Sequence, residues 1–373
     1  MKLYEYQAKD LFESYGIPVP RRVLTEDMDA LPAALKTIGF PCVLKSQVLE
    51  GGRGKRGLIP FVKNEDEALK EAKRLFTEEN IQRVMVEEAV HIEEEIYLSV
   101  TVDAEAGTAL VMASREGGVE IETLASEAPE KIVRLNVDLA YGLMAHHANE
   151  VAYALGFSKA EAKPFSKMLQ KLYTVFRAMD AELVEINPLF LTKEGEFVAG
   201  DGKLMIDDNA MFRHEKYAQA ETDYKSEAEY DAAKEGIPFI QFDGDISLMC
   251  AGAGLTTTVY DLINYEGGSV ANYLEFGGPN YKKAVKAMEI CLKVPSKVIL
   301  VVTFGTIARA DVMAEGIVDA IHRLKPDRPV VTCIRGTNEE QAVEILKDAG
   351  LEPIFDTEEA VRKAVELAKE GSK

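Results

Sequence analysis

The stretch "VEINPLFLTKEGEFVAGDGKL" (residues 184–204) alternates apolar and polar side chains on both sides of the segment Lys193–Gly195, which predicts a β-hairpin. A three-residue loop, with glycine in the left-handed position, would pair Asn187 with Asp201 across the two strands. Side chains two apart on a strand point the same way, so Glu185 shares that face. The predicted register therefore gathers two carboxylates and an amide on one side of the hairpin.

Oxygen ligands of this kind suit Mg²⁺ better than a soft metal, with phosphate oxygens and water completing the coordination. Two alternatives remain open from this stretch alone. A two-residue loop would place Gly202 opposite Asn187 and turn Asp201 to the other face, which weakens the metal prediction. A half-exposed hairpin with a solvated polar face would also show these residues without binding a metal.

The 373-residue chain is 47% hydrophobic and 28% charged, as in globular proteins, and is long enough for two packed domains. Its formal net charge of −20 repels phosphate backbones and anionic membrane surfaces, so we expect neither nucleic acid nor a membrane as partner. A nucleotide would need a local cationic patch and a divalent metal within this negative field. The cysteines lack metal-ligand spacing and are expected to be buried free thiols. With no apolar run long enough to span a bilayer, a cytoplasmic location is expected.

The pattern of predicted elements changes in the second half of the chain. Residues 1–238 mix strands, hairpins and helices, which predicts an α+β domain with a smaller lid subdomain at about 21–100. The charged segment 213–235 is predicted to form a bridging helix at the domain boundary. Residues 239–373 repeat strand, glycine turn and helix. This predicts an α/β domain with a doubly wound, flavodoxin-like parallel sheet, whose last strand is at 352–355.

The segment "LKSQVLEGGRGKRGLI" (residues 44–59) places Lys45 on a strand before a basic, glycine-rich turn. Glycines let backbone N–H groups approach phosphates, and the cations supply charge. It is not a Walker loop, because it lacks the GxxxxGK[ST] pattern and a strand follows it. A flexible basic hairpin tip is the alternative. The segment "VEEAVHIEEEIYL" (residues 86–98) adds Glu87 and Glu95 at strand edges, where carboxylates can accept hydrogen bonds from a ribose or are simply solvated.

Seven segments form a series along the chain. They are YEYQAKDLFESYGIPVP, GGRGK, VEEA, MASREGGVEIE, EINPL, DGKL and DDNAMFR. In order and spacing, the series resembles the β subunit of succinyl-CoA synthetase, an ATP-grasp protein. The resemblance implies an ATP-grasp domain in the α+β half and a CoA-ligase domain in the second half. It also implies that an acid, CoA and a nucleoside triphosphate give acyl-CoA, the diphosphate and phosphate, through a phosphohistidine and an acyl phosphate.

Carried over residue by residue, the resemblance implies a nucleotide site, a metal site and a catalytic residue. The nucleotide would be held by Lys45, Gly52, Arg53, Gly54, Glu87, Glu95 and the backbone near Val90. Asn187 and Asp201 would hold Mg²⁺, in agreement with the register argument. Glu185 would orient or deprotonate the histidine that carries the phosphoryl group. Pro20 resembles the residue found in ATP-using members, and GTP is the alternative nucleotide.

The phosphohistidine is expected on another chain. The histidines of this chain are His91, His146, His147, His214 and His322. None has the HAG-type glycine setting that the family uses on its α subunit, and ordinary surface or hydrogen-bonded roles are expected for all of them. The resemblance therefore implies a separate α subunit, in an αβ or α₂β₂ assembly, which carries the phosphohistidine and holds most of the CoA.

The segment "VVTFGTIARADVMAEGIVDAI" (residues 301–321) has the pattern of a strand, a glycine turn and a helix. Unpaired N–H groups and the helix dipole make the start of such a helix suitable for a phosphoryl group or a carboxylate. The predicted substrate and phosphate site consists of Ala251, Gly305, Thr306, Ile307 and Ala308. A second such unit, "MCAGAGLTTTVYDL" (residues 249–262), is a poor dinucleotide fingerprint because the third glycine is absent.

Two positions depart from the family pattern and bear on the acid. Family members typically read NGAGLAM where this chain reads AGAGLTT, so Ala251 replaces an asparagine amide that would contact the acid. Thr306 replaces a glycine beside the anion site. Loss of a specific donor changes which acid fits more than whether ATP binds. Succinate is the leading acid, a malate- or citrate-type carboxylate is the alternative, and Thr256, Asn280 or Thr306 is the hypothesised replacement contact.

Two other functions compete with this interpretation. A nucleotide-binding subunit without activity would not need Glu185, Asn187 and Asp201 to be intact. An ATP-grasp ligase that joins a carboxylate to an amine without CoA is disfavoured by the predicted parallel sheet of the second half.

Overall fold

A computed structural model describes residues 1–219, 221–277, 282–305 and 308–370 of the chain. Contacts divide the chain into two units, Met1–Ala218 and Gln219–Lys373. The predicted domain boundary, after residue 238, falls inside the second of these units. No helix in the described ranges combines the length and the apolar character needed to cross a membrane.

The first unit contains two antiparallel sheets. Its strands are β1 (Arg22–Thr25), β2 (Cys42–Ser46), β3 (Phe61–Val62), β4 (Val84–Glu88), β5 (Ile92–Asp103), β6 (Thr108–Ser114), β7 (Val133–Val137), β8 (Ala181–Thr192), β9 (Phe197–Ala199) and β10 (Lys203–Ile206). Its α-helices are α1 (Glu5–Ser14), α2 (Leu31–Ile38), α3 (Glu65–Lys73), α4 (Ile121–Glu127), α5 (Ala145–Ala154) and α6 (Lys159–Ala178). The smaller sheet has the order β1-β4-β2-β3. The larger has the order β10-β8-β5-β6-β7, with β9 paired to β8.

The smaller sheet and its helices occupy part of the range predicted for the lid subdomain. Strands β2 and β4 bury Leu44 and Val86, and α2 covers them with Leu31 and Leu35. Because side chains alternate along each strand, one face of this sheet is left free for polar residues. That second face carries the charged side chains described below.

Helix α6 closes the core of the larger sheet. It begins at a capping box in which Ser158 and Glu161 exchange hydrogen bonds, so two otherwise unpaired N–H groups are satisfied. Its buried stripe includes Phe165, Leu169 and Leu172, which recur at helical spacing and pack with the apolar side chains of the sheet. Full burial of each such side chain contributes about 1.5–3 kcal/mol. The sheet that carries β8 is therefore firmly held from one side.

The hairpin of β8 and β9 has the predicted three-residue loop. Gly195 takes the left-handed conformation, with φ of 81°. Leu189 pairs with Ala199 of β9, and Glu185 pairs with Lys203 of β10. The same register thus holds on both sides of the short break between β9 and β10, and the predictions of loop length and register are confirmed.

The second unit contains one sheet with helices on both faces. Its strands are β11 (Phe239–Gln241), β12 (Ile246–Ala251), β13 (Val270–Leu274), β14 (Val298–Gly305) and β15 (Val330–Gly336). Its α-helices are α7 (Glu227–Glu235), α8 (Ala253–Tyr265), α9 (Ala284–Lys293), α10 (Ala310–Leu324), α11 (Glu339–Asp348) and α12 (Thr357–Glu370). The order is β11-β13-β12-β14-β15, and β12 to β15 pair in parallel. The predicted doubly wound parallel sheet is confirmed, with β11 added as an antiparallel edge strand.

Strand β12 lies between β13 and β14. The next strand in the chain, β13, is therefore added on one side of β12, and the following strand, β14, is added on its other side. The carboxyl ends of β12 and β14 therefore form the type of crevice at which doubly wound sheets bind ligands. Side chains alternate between two apolar layers. Met249 and Val301 pack with α9 and α10, whereas Cys250 and Val302 pack with α8 and α12. All four cysteines are buried free thiols, as predicted.

Two predicted elements differ from the structure. The segment 213–235 is not one helix, since α7 covers only its end and packs on the core of the second unit through Ala228 and Ala232. Residues 352–355, all described, form no strand. Pro353 makes a single β-bridge there, and a proline has no N–H with which to extend the ladder.

Candidate functional site

A cavity of about 610 Å³ opens in the first unit beside β8 and the glycine-rich turn that follows β2. It brings together six of the residues predicted to bind ligands: Gly52, Arg53, Gly54, Glu185, Asn187 and Asp201. Lys55 of the same basic turn lines it as well, together with Lys2 and Lys203, two cations that were not predicted. Concave sites with a few convergent polar groups are typical of small-molecule binding.

The glycine-rich turn presents free backbone N–H groups. The carbonyls of Gly52, Arg53 and Gly54 accept hydrogen bonds from later residues of the turn. The N–H groups of residues 51–54 donate to no group in the described part of the chain. Gly52 has φ of 73°, a conformation that favours glycine. Successive unpaired N–H groups form an anion-binding concavity, so the turn can bind phosphate oxygens.

Charged side chains from α1, the smaller sheet, the turn and the segment after β9 form an ionic cluster next to the cavity. Its cations are Lys9, Lys45 and Arg53, and its carboxylates are Glu5, Glu87 and Asp201. One Glu5 oxygen accepts from both lysines at 2.9 Å, and the other accepts from Arg53 at 2.6 Å. Lys45 also pairs with Glu87 at 2.8 Å. Positive and negative side chains are therefore equal in number within the cluster.

The charged forms of Glu5 and Lys45 are stabilised by their partners in the cluster. Burial raises the pKa of the Glu5 carboxyl, but the three neighbouring cations outweigh burial and hold this pKa well below its usual range. Burial lowers the pKa of Lys45, and the carboxylates of Glu5 and Glu87 outweigh it and raise this pKa above its usual range. Each charge thus depends on its partners, and removal of one partner leaves an uncompensated buried charge.

The other predicted nucleotide residues lie outside the cavity wall. Lys45 and Glu87 are buried in the ionic cluster and are not among the described residues that line the cavity. Val90 and Glu95 do not line it either. Glu95 lies behind the wall at Gly118, where an added Cβ would come within 2.5 Å of its carboxylate oxygen. Of the residues predicted to hold the nucleotide, those of the glycine-rich turn, Gly52, Arg53 and Gly54, line the cavity.

Sequence reasoning missed Glu5 and Lys9. The side chain of Lys9 is 0% exposed, and its ammonium contacts both Glu5 and Glu87. It also donates to the Gly200 carbonyl at 2.9 Å, which ties α1 to the segment that carries the predicted metal ligand. The spacing of four residues places Glu5 and Lys9 on one face of the predicted opening helix. Such pairs are usually solvated, so the spacing alone does not indicate a buried role.

Glu185 projects from β8 into the cavity. Its carboxylate accepts a hydrogen bond from the Tyr97 hydroxyl at 3.0 Å, and Tyr97 is a third residue that the sequence did not reveal. Burial raises the pKa of Glu185, with a further contribution from Asp201, while Lys203 opposes the rise. A carboxylate with a raised pKa in a cleft can exchange a proton or bind a protonated ring nitrogen.

Asn187 and Asp201 both face the cavity, and each is engaged by a protein group. The Asn187 side chain accepts from the Gly118 N–H at 2.8 Å and donates to the Val119 carbonyl at 2.9 Å. Both carboxylate oxygens of Asp201 accept from one terminal nitrogen of Arg53 at 3.0 Å.

The pair nevertheless offers the donors that Mg²⁺ prefers. One carboxylate and one amide oxygen would leave the remaining coordination positions to phosphate oxygens and water. The described residues include no group of three His, Cys, Asp or Glu side chains placed to bind a metal by themselves. The donor set therefore fits a metal that arrives with a nucleotide.

The predicted substrate site of the second unit lies at the carboxyl ends of β12 and β14. Ala251 ends β12 and pairs with Thr303 of β14. Gly305 packs so closely on the following turn that an added Cβ would lie 2.3 Å from the Ala308 carbonyl oxygen. Three residues predicted for this region lie outside the described residues: Thr306, Ile307 and Asn280.

The first turn of α10 already contains a carboxylate. Asp311 accepts from Arg309 at 3.0 Å and from the Asn338 side chain at 3.1 Å. The hydrogen bond from Arg309 is the main reason that the pKa of Asp311 lies well below its usual range. Negative charge at this position complements the helix dipole. An anionic substrate at this edge would therefore lie beside Asp311.

Two threonines lie near Ala251. The Thr256 hydroxyl donates to the Gly252 carbonyl at 2.8 Å, so it is already used within α8. Thr303 is fully buried, and its hydroxyl has no hydrogen-bond partner in the part of the chain that the structure describes. Buried hydroxyls are normally paired. Of the described residues, Thr303 is thus the polar neighbour of Ala251 with an unused hydrogen-bonding group.

Comparisons with known proteins cover both units. The ATP-grasp domain model matches residues 2–191, and the CoA-ligase model matches residues 249–367. ADP-forming sulfoacetate-CoA ligase subunit SqwK of Acholeplasma sp is 66% identical, over 99% of this chain and 92% of its own length. ADP-forming sulfoacetate-CoA ligase subunit SauC of Bilophila wadsworthia is 58% identical, over 99% of both chains. The β subunit of ADP-forming succinate–CoA ligase of Ignicoccus hospitalis is 42% identical, over 99% of this chain and 100% of its own length.

The fold is also found in a solved structure. ATP citrate lyase from Methanothrix soehngenii, in complex with citrate and coenzyme A, superposes with a TM-score of 0.73 at 20% identity and covers 99% of both chains. The order of the domains agrees with an ATP-grasp domain followed by a CoA-ligase domain. The chain therefore belongs to the family of ADP-forming acid–CoA ligases, which are acid–thiol ligases, and it corresponds to their β subunit.

Proposed function

We propose that this chain is the β subunit of an ADP-forming ligase that joins sulfoacetate to coenzyme A. The observation that carries the proposal is that two relatives named as sulfoacetate-CoA ligase subunits are 66% and 58% identical over 99% of the chain. The succinate–CoA ligase subunit of Ignicoccus hospitalis is 42% identical over the same share. Sulfoacetate thus replaces succinate, which the sequence resemblance favoured, as the leading acid.

The proposed reaction converts sulfoacetate, CoA and ATP into sulfoacetyl-CoA, ADP and phosphate. The terminal phosphoryl group passes from ATP to a histidine and then to the carboxylate of sulfoacetate. The CoA thiol attacks the resulting acyl phosphate and displaces phosphate. No histidine is among the described residues that line the cavity, so a partner α subunit is proposed to supply the phosphohistidine and to hold most of the CoA.

The nucleotide would bind in the cavity of the first unit. The free N–H groups of residues 51–54 would face the phosphates, and Arg53, which lines the cavity, would supply positive charge, with Lys45 behind it in the ionic cluster. Asn187 and Asp201 would hold Mg²⁺, which offsets the charge of the phosphates. ATP is proposed over GTP because the relatives are named as ADP-forming.

Glu185 is the proposed catalytic residue of this chain. Its carboxylate lies in the same cavity as the proposed metal ligands and is fixed by the Tyr97 hydroxyl. From this position it would hydrogen-bond the imidazole of the partner subunit while that ring receives the phosphoryl group. The carboxylate would thereby hold the ring in one orientation and accept its proton.

The acid would be selected at the carboxyl edge of the second unit. A sulfonate carries three oxygens in a tetrahedral arrangement, whereas a carboxylate carries two oxygens in a plane. At position 251 a methyl side chain stands where the succinate-type pattern has an asparagine amide. This exchange removes a donor suited to a planar carboxylate and leaves room for a wider group, which supports a change of acid.

The test is an acid panel on the complex of this chain with its α subunit. Sulfoacetate, succinate, malate and citrate are compared by kcat/KM for ADP release, with ATP and with GTP. We expect sulfoacetate to exceed succinate by at least about tenfold with ATP, since one lost specific contact accounts for that ratio. Succinate as the best acid would refute the sulfoacetate assignment while leaving the ligase class intact.

Radiolabelled ATP tests the route of the phosphoryl group. Label on a histidine of the α subunit, released on addition of sulfoacetate and CoA, is the expected result. Absence of any labelled α subunit in an active complex would contradict the phosphohistidine step.

A further inference from the structure

We propose that Arg53 makes binding of the metal depend on binding of the nucleotide, because its guanidinium contacts both carboxylate oxygens of Asp201, one of the proposed metal ligands. The inference rests on the proposed function, since it uses the metal ligands assigned there. It goes further in giving Arg53 a second role besides phosphate binding.

The guanidinium of Arg53 spans two carboxylates. One terminal nitrogen donates to Glu5 at 2.6 Å and to the Ser46 carbonyl at 3.1 Å. The other donates to both oxygens of Asp201 at 3.0 Å. The side chains of Arg53 and Asp201 are 10% and 31% exposed, so this contact is shielded more than a surface pair. Asp201 therefore meets a fixed positive charge at the oxygens that a metal would bind.

Arg53 and a divalent ion cannot both make this contact without repulsion. Mg²⁺ binds carboxylate oxygens at about 2.0–2.1 Å, so an ion on Asp201 would lie close to the guanidinium nitrogen that now contacts the same oxygens. Like charges at such a distance in a partly buried site repel strongly. A metal that arrives alone must displace Arg53 and offers the guanidinium no replacement acceptor.

A nucleotide removes this obstacle. Arg53 belongs to the turn whose N–H groups at residues 51–54 are unpaired, so phosphates bound there lie next to its side chain. Phosphate oxygens are strong acceptors for the planar guanidinium and can replace Asp201 as its partner. The same phosphates supply the metal with ligands beyond Asp201 and Asn187. Metal and nucleotide therefore favour each other, and by linkage the coupling is reciprocal.

The test measures metal binding without nucleotide, so it needs neither acid nor CoA. Mn²⁺ replaces Mg²⁺ and is titrated into the complex with its α subunit, with free Mn²⁺ read by electron paramagnetic resonance. Three forms are compared: the unmodified protein, Arg53→Met, and the control Arg56→Met. Arg56 lies three residues along the same turn and pairs with Glu50, and both side chains of that pair are about half exposed.

We expect weak Mn²⁺ binding by the unmodified protein and about tenfold tighter binding by Arg53→Met, within the usual range of coupling between two sites. Arg56→Met should match the unmodified protein. In the double variant Arg53→Met with Asp201→Asn, the gain should disappear, which would place the ion on Asp201. Equal Mn²⁺ affinity in the unmodified protein and Arg53→Met would overturn the inference, as would a gain that persists in the double variant.

Arg53→Lys is the second variant for the case in which the methionine form does not fold. It keeps the charge but loses the planar fork, so a smaller gain in Mn²⁺ affinity is expected, and no gain would count against the inference. The acid panel and this titration fail independently. A wrong acid leaves the metal coupling untouched, and an unchanged metal affinity leaves the acid assignment untouched.

Discussion

The cavity of the first unit and the carboxyl edge of the second unit's sheet differ in how they use charge. Three basic and three acidic side chains adjoin the cavity and pair with one another, with Glu5 at their centre. At the other edge, the last residues of β12 and β14 carry no charged side chain, and charge is limited to the pair of Asp311 and Arg309 at the start of α10. Thr303 there has an unused hydroxyl among the described residues. Under the proposed function, a fixed ionic framework serves the nucleotide, whereas small neutral side chains that can be exchanged select the acid.

The largest effect on activity is expected from a substitution at Glu185, in the cavity of the first unit. Glu185→Gln keeps the shape of the side chain and an acceptor for Tyr97 but removes the carboxylate, so kcat should fall by about 10²- to 10⁴-fold, the usual size of a general acid–base contribution. ADP affinity, measured by calorimetry on the same complex, should change little. Turnover within a few-fold of the unmodified enzyme would remove Glu185 from the chemistry.

The second prediction concerns the stability of the ionic cluster. Glu5→Gln leaves three buried cations short of one partner and should lower the free energy of unfolding by about 3–5 kcal/mol at pH 7. Glu88→Gln, which breaks the exposed pair with Arg21, is the matched control and should cost less than about 1 kcal/mol. Urea unfolding of the three proteins measures both values, and equal costs would show that the cluster is not the source of stability.

The difference in the free energy of unfolding between the unmodified protein and Glu5→Gln should depend on pH in one direction. The neighbouring cations depress the pKa of Glu5 in the folded protein. The stabilisation is therefore complete above the pKa of an unfolded glutamate, at about 4.3, and is lost as the pH falls through the lower folded value. The difference in the free energy of unfolding between the unmodified protein and Glu5→Gln should therefore become smaller below about pH 4. A gap that widens on acidification would contradict the depressed pKa.

A smaller effect is expected at Ala251, at the carboxyl end of β12. Ala251→Asn should restore a donor suited to a planar carboxylate and shift the ratio of kcat/KM for sulfoacetate to that for succinate by about tenfold toward succinate. The KM for ATP should stay the same, since position 251 lies in the other unit. An equal change for both acids would mean that this position affects folding or assembly rather than selection.

The smallest effect is expected at Thr303. Thr303→Val removes a buried hydroxyl without a partner among the described residues, so thermal stability should be unchanged or rise slightly. Thr332→Val is the control, because its hydroxyl donates to the Glu352 carbonyl at 3.4 Å, and its loss should cost about 1 kcal/mol. A clear loss of stability in Thr303→Val would show that its hydroxyl has a structural partner.

Local rules predicted much of this molecule. Gly195 and strict alternation were sufficient for the loop and the register of the hairpin, because both depend on short-range backbone geometry. The alternation of strands and helices after residue 239 likewise indicated a parallel sheet. The predicted strand at 352–355 failed, since its apolar pattern did not account for a proline that cannot extend a ladder.

The partners of the site residues could not be read from the sequence. Glu5 and Lys9 look like an ordinary helical ion pair, and only packing places them among the charges of two sheets. Arg53 and Asp201 were both predicted as ligand residues, and their contact with each other depends on the fold rather than on spacing. The identity of the acid substrate could not be predicted for a different reason. The informative residue, Ala251, lacks the amide found in the family pattern, and a missing group does not show which acid is bound instead.

The balanced ionic cluster has a kinetic consequence. Since its charges cancel, it exerts little long-range attraction on an approaching nucleotide, and the protein as a whole carries a formal net charge of −20. Long-range electrostatic repulsion should therefore slow the association of a polyanionic triphosphate with the protein. Added salt, by screening that field, should accelerate its association rate, the opposite of the behaviour of sites embedded in basic surfaces.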